Sequence, residues 1–368
     1  MKKILIVITT SFCEYGGLSN AIMNYYKFLD RKEFMIDFAS TNIPNKEDKF
    51  YKYIKINKSN YYCLGNRKKN IFSYLRNLKK ILKNGNYDVI HVNGNSATII
   101  FELIIAKNCN VKSIIAHGHT TRSNHPFIHM ILKKFIKGYC TTAIAVSEKA
   151  GKWLYGRDYV VLNNAIDLEK YEFNEGVRDK VRHNLNINDE IVYGHVGKLY
   201  YPKNQKFIIE IFERIYYLNR NVKLLFVGSG YLEDELKQIV KKKKLDKNVI
   251  FLGMCNNVEE IVQAFDVFIF PSIYEGLGLA LIEAQAAGLK CIASTNVPLE
   301  TCVTKNVKFL ELDKGANEWA DEIINIKLND RNIERDSIKK SIIKSGYSIK
   351  EEAIKLKDIY LKDGEKLL

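Results

Sequence analysis

The chain is predicted to belong to the α/β class and to fold as two successive parallel-sheet domains. Three observations carry this prediction. Short apolar runs, each bounded by glycine or polar turns, recur along the chain with helical patterns between them. The alternation breaks off near residue 165 and starts again near residue 191. At 368 residues there is room for two cores of ordinary domain size.

In the first half, residues 4–9 (ILIVIT) read as a buried strand. They lack the small-residue cleavage site of a signal peptide. SFCEYGGLSN then opens a helix near Leu18. Gly16 and Gly17 let backbone approach a ligand or simply make a tight turn. They do not form G-x-G-x-x-G, so no dinucleotide fingerprint is present. Residues 34–39 and 61–64 are the next strands, and 71–82 place apolar and basic residues at helical spacing. The strand at 87–92 ends in Asn-Gly-Asn-Ser. The strand at 111–116 ends in His117-Gly118-His119-Thr120-Thr121-Arg122. Functional residues gather at the carboxyl ends of strands in open parallel sheets. Either His can also be an ordinary strand-end hydrogen-bonding group. His-x-His is half a metal site, but no third ligand follows at matching spacing, so no metal is expected. Residues 127–139 (FIHMILKKFIKGY) read as a helix with apolar residues on one side and Lys133, Lys134 and Lys137 near its end. Ordinary packing and peripheral membrane contact are both open for it. Residues 142–146 and 160–162 are the last strands of this half, and Ser147 caps the helix between them.

The second half begins with a strand at 191–196 and the loop GKLYYPKN. Its Lys198 and Lys203 can neutralise a diphosphate or stand as solvated surface charges. Strands at 222–227 and 249–252 end in glycines. The run 267–270 stops at Pro271, which cannot donate to a sheet ladder. Glu275, Gly276 and Gly278 make a tight turn, and a helix at 279–287 closes at Gly288. A strand, a glycine turn and a helix N-terminus together make an anion site. Glu275 and Glu283 bracket it, roughly 10–12 Å apart along a helix axis. That separation suits the two ends of one elongated ligand, such as a sugar nucleotide. Strands at 291–294 and 307–310 follow, and 347–362 form a polar amphipathic helix.

The composition is globular, 46% hydrophobic and 27% charged, with no apolar run long enough to span a membrane. The seven cysteines are odd in number and scattered, as expected of reduced cytosolic thiols. The net charge of +15 is uneven. Residues 1–165 carry 26 Lys+Arg against 10 Asp+Glu, whereas the remainder carries 31 against 32. A basic half points to nucleic acid or an anionic membrane surface. No aromatic-basic RNA-binding motif accompanies it, which favours the membrane. The expected location is cytoplasmic, peripheral on the inner face of the cell membrane.

EGLGLALIEAQAAGL, after a strand ending in Pro271-Ser272, resembles the E-x7-E signature of the retaining glycosyltransferases of family four (glycosyl transferases group one). AIAVSEKAGKWLYG is similar to a segment of the bacterial capsule and exopolysaccharide members, and NNAIDLEKYEFN to the family's interdomain linker. The resemblance implies the GT-B fold: two Rossmann-like parallel-sheet domains facing across a cleft. Residues 1–165 would bind the acceptor, 166–346 the nucleotide sugar, and the tail 347–368 would pack back on the first domain. It implies His119, Lys203 and Glu275 as catalytic residues, with His117 the weaker candidate for the place of His119 near the reacting carbon. Glu275 would face the donor sugar and Glu283 the ribose. Lys203 and Lys198 would meet the phosphates, with Gly16, Gly17, Gly276, Leu277, Gly278 and Leu279 lining the donor. Lys198 stands where the family more usually has Arg, which keeps the charge but loses the bidentate fork. The implied reaction is retaining transfer from a nucleotide sugar, expected to be UDP-linked, to a hydroxyl of a lipid-linked saccharide. The chain has no D-x-D, and neither a metal nor another cofactor is expected. Two alternatives stand beside this reading: a UDP-sugar 2-epimerase of the same fold, and a nucleic-acid-binding protein using the basic half. The E-x7-E unit with Lys203-Asn204 argues against the first, and no nucleic-acid partner is expected.

Overall fold

A computed structural model describes residues 1–14, 16–123, 125–328, 330–362 and 364. Its contacts divide the chain into two units. One is Met1–Ala165 with the helix Ile349–Leu361, and the other is Ile166–Ser348.

The first unit is built on a parallel sheet of β1 (Lys2–Ile8), β2 (Phe34–Ser40), β3 (Tyr61–Cys63), β4 (Val89–Gly94), β5 (Ser113–Gly118), β6 (Thr142–Ala145) and β7 (Val160–Val161). Their order is β3-β2-β1-β4-β5-β6-β7. Side chains alternate across a strand, so an unbroken apolar run must bury both faces. In β1, Leu5 and Val7 meet Tyr74, Leu78 and Leu103 from helices on one face. Ile4, Ile6 and Ile8 meet Ile22, Tyr26, Leu356 and Tyr360 on the other. The helix Ile349–Leu361 is thus one wall of this core. Lys2 Nζ closes its C-terminal end, donating to the carbonyls of Tyr360 (3.1 Å) and Leu361 (2.6 Å). Residues 363 and 365–368 of the expected tail lie outside the described residues.

The second unit repeats the plan with β8 (Ile191–Val196), β9 (Val222–Val227), β10 (Val249–Phe251), β11 (Val267–Phe270), β12 (Lys290–Ser294) and β13 (Val307–Leu310), in the order β10-β9-β8-β11-β12-β13. Val267 and Ile269 of β11 pack against Ile208, Phe212 and Trp319, while Phe268 and Phe270 pack against Leu281 and Ala284. Every expected strand is present, its ends shifted by at most about two residues. In each sheet the order reverses beside the first strand, at β1/β4 and at β8/β11. Such switch points open a crevice at the carboxyl ends of the strands.

One expectation is corrected. The continuous helix at 127–139 is instead a short helix, Pro126–Leu132, a tightened turn, and a 3₁₀ segment at Ile136–Gly138. Hydrogen bonds shorten to i−3 after Leu132, from Lys134 to Ile131 and from Phe135 to Leu132, and this bend delivers Ile136 into the core. The apolar residues do not pack inward as a face. On Pro126–Leu132 only His129 is buried, its ring stacked 3.9 Å from that of Trp153. Phe127, Ile128, Met130 and Ile131 are exposed. Lys137 is engaged with Asp158 at 2.8 Å. No helix among the described residues is long and apolar enough to cross a membrane.

Candidate active site

In the second unit the site is made by the loops that follow β8 and β11. The first passes through the 3₁₀ turn Tyr201–Lys203 and turns at Asn204, whose φ of 59° is in the left-handed region that Asn tolerates. Asn204 Nδ2 donates to the Pro271 carbonyl at 3.3 Å, and the Ile273 amide donates to the Pro202 carbonyl at 2.8 Å. These bonds lock the two loops together and bring Lys203 and Glu275 into contact. Lys203 Nζ lies 2.5 Å from Glu275 Oε1, to which Ser272 Oγ also donates at 2.6 Å. The two side chains are 13% and 8% exposed, and the ammonium also sits 4.8 Å from the centre of the Phe270 ring.

Beside them the helix Leu279–Ala286 starts without a side-chain cap at Gly278, whose φ of 93° suits glycine. The first amides of the helix therefore have no intrahelical acceptor and face outward as donors. On its next turns stands Glu283, which accepts a hydrogen bond from Tyr171. Desolvation pushes the Glu283 carboxyl up to about 7, and Glu259 adds to the rise. The Tyr171 bond and the nearby Lys203 charge oppose it. Gly276 and Leu277 belong to the same turn, Leu277 packing partly against a small apolar cluster. Lys198 is not drawn into the pair: it is exposed, 6.0 Å from the Tyr200 ring centre. Below the loop, His195 is fully buried and bonds the Ile269 carbonyl through Nδ1 at 2.9 Å. Burial holds it down at about 3.

In the first unit, His117 and His119 stand at the end of β5. Both are joined there by groups the sequence did not single out. His91 of β4 lies 3.1 Å from His117, Nε2 to Nδ1, and Asn93 accepts from His119 Nε2 at 2.9 Å. Burial lowers all three imidazoles, His91 and His119 to about 3. With Tyr360, Tyr25 and Ile22 these residues line a small cavity. The signal in the sequence was a polar position, His91, between the apolar residues Ile90 and Val92 of a buried strand. Ser272 had a similar signal, a hydroxyl immediately past the end of β11. Gly16 and Gly17 follow β1. A side chain on Gly16 would come within 3.2 Å of Ser19 Oγ, whereas the space in front of Gly17 is open. Among the described residues no three His, Cys, Asp or Glu side chains come together as a metal-binding group.

Comparison with known proteins decides the family. Residues 15–170 match Glycosyltransferase Family 4, and residues 177–345 match Glycosyl transferases group 1. The UDP-Gal:alpha-D-GlcNAc-diphosphoundecaprenol alpha-1,3-galactosyltransferase of Escherichia coli is 30% identical over 78% of each chain. The chain belongs to the group 1 glycosyltransferases. This glycosyltransferase is also 27% identical to the putative glycosyltransferase EpsF of Bacillus subtilis, over 98% of its own length and 96% of the relative's. Its fold matches that of Anabaena Alr3699/HepE, crystallised in complex with UDP. The TM-score is 0.78 at 17% identity, covering 97% of this chain and 99% of the other. The two parallel-sheet units are accordingly those of the GT-B fold.

Proposed function

We propose that the enzyme moves a sugar, with retention of configuration and without a metal, from a UDP-linked donor to a hydroxyl of a lipid-linked saccharide in capsule or exopolysaccharide synthesis. The observation that carries this reading is the Lys203–Glu275 pair beside the uncapped start of the helix Leu279–Ala286. In this reading the donor diphosphate meets Lys203, Lys198 and the amides of Leu277, Gly278 and Leu279. Fixed cations and dipoles then stabilise the charge of the leaving group. Glu275 orients the donor sugar, Glu283 accepts from the ribose hydroxyls, and Gly16 and Gly17 leave room for backbone to approach the donor. His119 acts at the reacting sugar. Retention follows from front-face attack. The anomeric carbon–phosphate oxygen bond breaks as the bond to the acceptor oxygen forms, and the acceptor proton passes to the departing phosphate. The Escherichia coli relative, named for UDP-Gal and a diphosphoundecaprenol acceptor, supports both substrate classes. The relatives compared are transferases, which leaves the epimerase reading without support.

Thermal melting with UDP-, GDP- and TDP-sugars, each with and without EDTA, tests this. At a hundredfold excess over Kd a donor stabilises by about 2.7 kcal/mol. A UDP-sugar should raise the Tm equally in EDTA. No response to any UDP-sugar overturns the donor assignment, and an inverted anomer in the product overturns retention.

A lipid-borne acceptor calls for contact with a membrane, and one face of the first unit favours peripheral attachment to the cytoplasmic leaflet. Phe127, Ile128, Met130, Ile131 and Phe135 are exposed between 48% and 78%. Exposed Lys133 and Lys134 adjoin them. Such a patch fits an anionic bilayer, with the apolar side chains entering the interface and each lysine adding about 1 kcal/mol at the headgroups. In vesicle sedimentation, Phe127→Ser with Ile131→Ser should weaken binding to all vesicles. Lys133→Glu with Lys134→Glu should weaken binding to anionic ones only. Indifference to anionic vesicles at low salt removes the membrane claim and leaves the transferase claim standing.

A further inference from the structure

A run of hydrogen bonds leads from the helix Ile349–Leu361 to the end of β5. Tyr360 is fully buried, and its hydroxyl lies 2.7 Å from His91 Nδ1. His91 Nε2 lies 3.1 Å from His117 Nδ1. All three histidines at this strand end are neutral near pH 7 because burial disfavours their charged forms. Each ring therefore carries a single N–H.

The direction of the run is set at the Tyr360 end. Among the described residues the Tyr360 hydroxyl has no hydrogen-bond partner other than His91. If His91 donated from Nδ1, the phenolic hydrogen and a bare His117 Nε2 would both be buried without a partner, whereas the opposite run leaves one unmatched atom instead of two. Tyr360 therefore donates to His91 Nδ1, and His91 donates from Nε2 to His117 Nδ1. The proton of His117 is left on Nε2, a buried atom with no partner among the described residues.

Asn93 fixes the neighbouring ring in the opposite sense. Its amide nitrogen faces the carbonyls of His91 (3.1 Å) and Val7 (3.5 Å), so its oxygen is turned to His119. His119 donates from Nε2 and keeps a bare Nδ1, which is likewise buried and unpartnered among the described residues. The His117 and His119 ring centres are 4.0 Å apart. The two adjacent rings thus carry one unpartnered N–H and one unpartnered lone pair, the pair of functions that a hydroxyl group, which both accepts and donates, can meet.

We propose that Tyr360 is a positioning residue: through His91 it holds the proton of His117 on Nε2, so that His117 is a donor beside the acceptor His119. The role of this strand end in transfer rests on the reading given under Proposed function; the hydrogen-bond run does not.

Nitrogen NMR of the imidazoles in the full-length chain tests the run directly, because protonated and bare ring nitrogens differ in chemical shift. Wild type should show His117 protonated on Nε2. Tyr360→Phe keeps the ring in its packing site and removes only the hydroxyl, and should raise the Nδ1–H fraction of His117 by up to about tenfold. His91→Gln, whose amide can still donate to His117 Nδ1, should keep the wild-type pattern, and His91→Leu should lose it. An unchanged His117 tautomer in Tyr360→Phe overturns the proposal, even if the variant melts earlier, since that marks a packing role alone. If Tyr360→Phe does not fold, the contrast between His91→Gln and His91→Leu decides, and identical tautomers in the two overturn it. Transfer assays of His117→Ala and His119→Ala address the other reading. Unchanged kcat in both, with the tautomer shift present, removes this strand end from catalysis and leaves the Tyr360 assignment intact.

Discussion

The two strand-end sites bury opposite kinds of polarity. At the end of β5 the buried groups are neutral imidazoles tied to one another, to Asn93 and to Tyr360. Past the end of β11 the nearly dry groups are an ion pair, Lys203 and Glu275, with Ser272 as a further donor. Ion pairs taken out of water gain little net stability, because desolvation offsets their attraction. Keeping one at a loop junction makes sense if a charged ligand is to share it. A neutral cluster suits a partner that brings hydroxyls and no charge. Under the proposed function, this contrast would give charge handling to the second unit and hydrogen-bond discrimination to the first.

The largest expected effect tests the charged side. Lys203→Ala and Glu275→Gln should each lower turnover about a hundredfold or more. Lys203→Ala should also cost about 3–5 kcal/mol in urea unfolding, since it strands a largely buried carboxylate. Arg67→Ala is the matched control. It strands Glu102, whose side chain is fully buried and 2.6 Å from Arg67. It should lose similar stability with turnover unchanged below the melting range. Near-wild-type turnover in both site variants would erase the distinction between the two pairs.

The pH dependence should separate the two sites by sign. Glu283 is raised to about 7 from its ordinary 4.5, so between those values the native state holds a proton that the unfolded chain has lost. Its contribution to stability is full below about pH 4.5 and declines as pH rises towards 7. His91 and His119 are lowered to about 3 from 6.5. Their contribution is full above about pH 6.5 and is lost as pH falls towards 3. Denaturant melts across pH 4 to 8 should show both trends, and Glu283→Gln should remove only the first. If Glu283 accepts from ribose hydroxyls as a carboxylate, UDP-sugar affinity should rise with pH through about 7 in wild type and stay flat in Glu283→Gln. An unchanged pH profile in that variant would break the assignment.

The smallest effect belongs to Lys198. It is exposed, and an exposed charge contributes at most about 1 kcal/mol, so Lys198→Ala should weaken donor binding no more than about fivefold in calorimetry. A loss as large as that of Lys203→Ala would show that Lys198 moves into the site when ligand binds.

The sequence made the sheets and the charged site legible for the same reason: their signals are local. A strand buried on both faces has to be a short unbroken apolar run, and Val267–Phe270 is one. Lys203, Ser272 and Glu275 lie in loops directly after such runs. The histidine cluster was only half legible. His117 and His119 stand out at a strand end, but their partners do not. His91 reads as one polar residue in a core strand, and Tyr360 is 269 residues away from it. At 127–139 the sequence left the apolar side open between packing and membrane contact, because helical periodicity identifies such a side without saying what covers it, and it did not show that the helix ends at Leu132. Here, among its apolar residues, only Leu132 packs against the core.

The helix Ile349–Leu361 has a consequence for how the molecule is made. The second unit is one continuous stretch of chain and can close its cores as soon as that stretch has been synthesised. The first unit cannot, because Leu356, Ile359 and Tyr360 cover Ile4, Ile6 and Ile22, and they are translated only after the whole second unit. The part that emerges first is therefore the part completed last. A chain stopped anywhere short of this helix would carry an open apolar wall for chaperones and proteases to find.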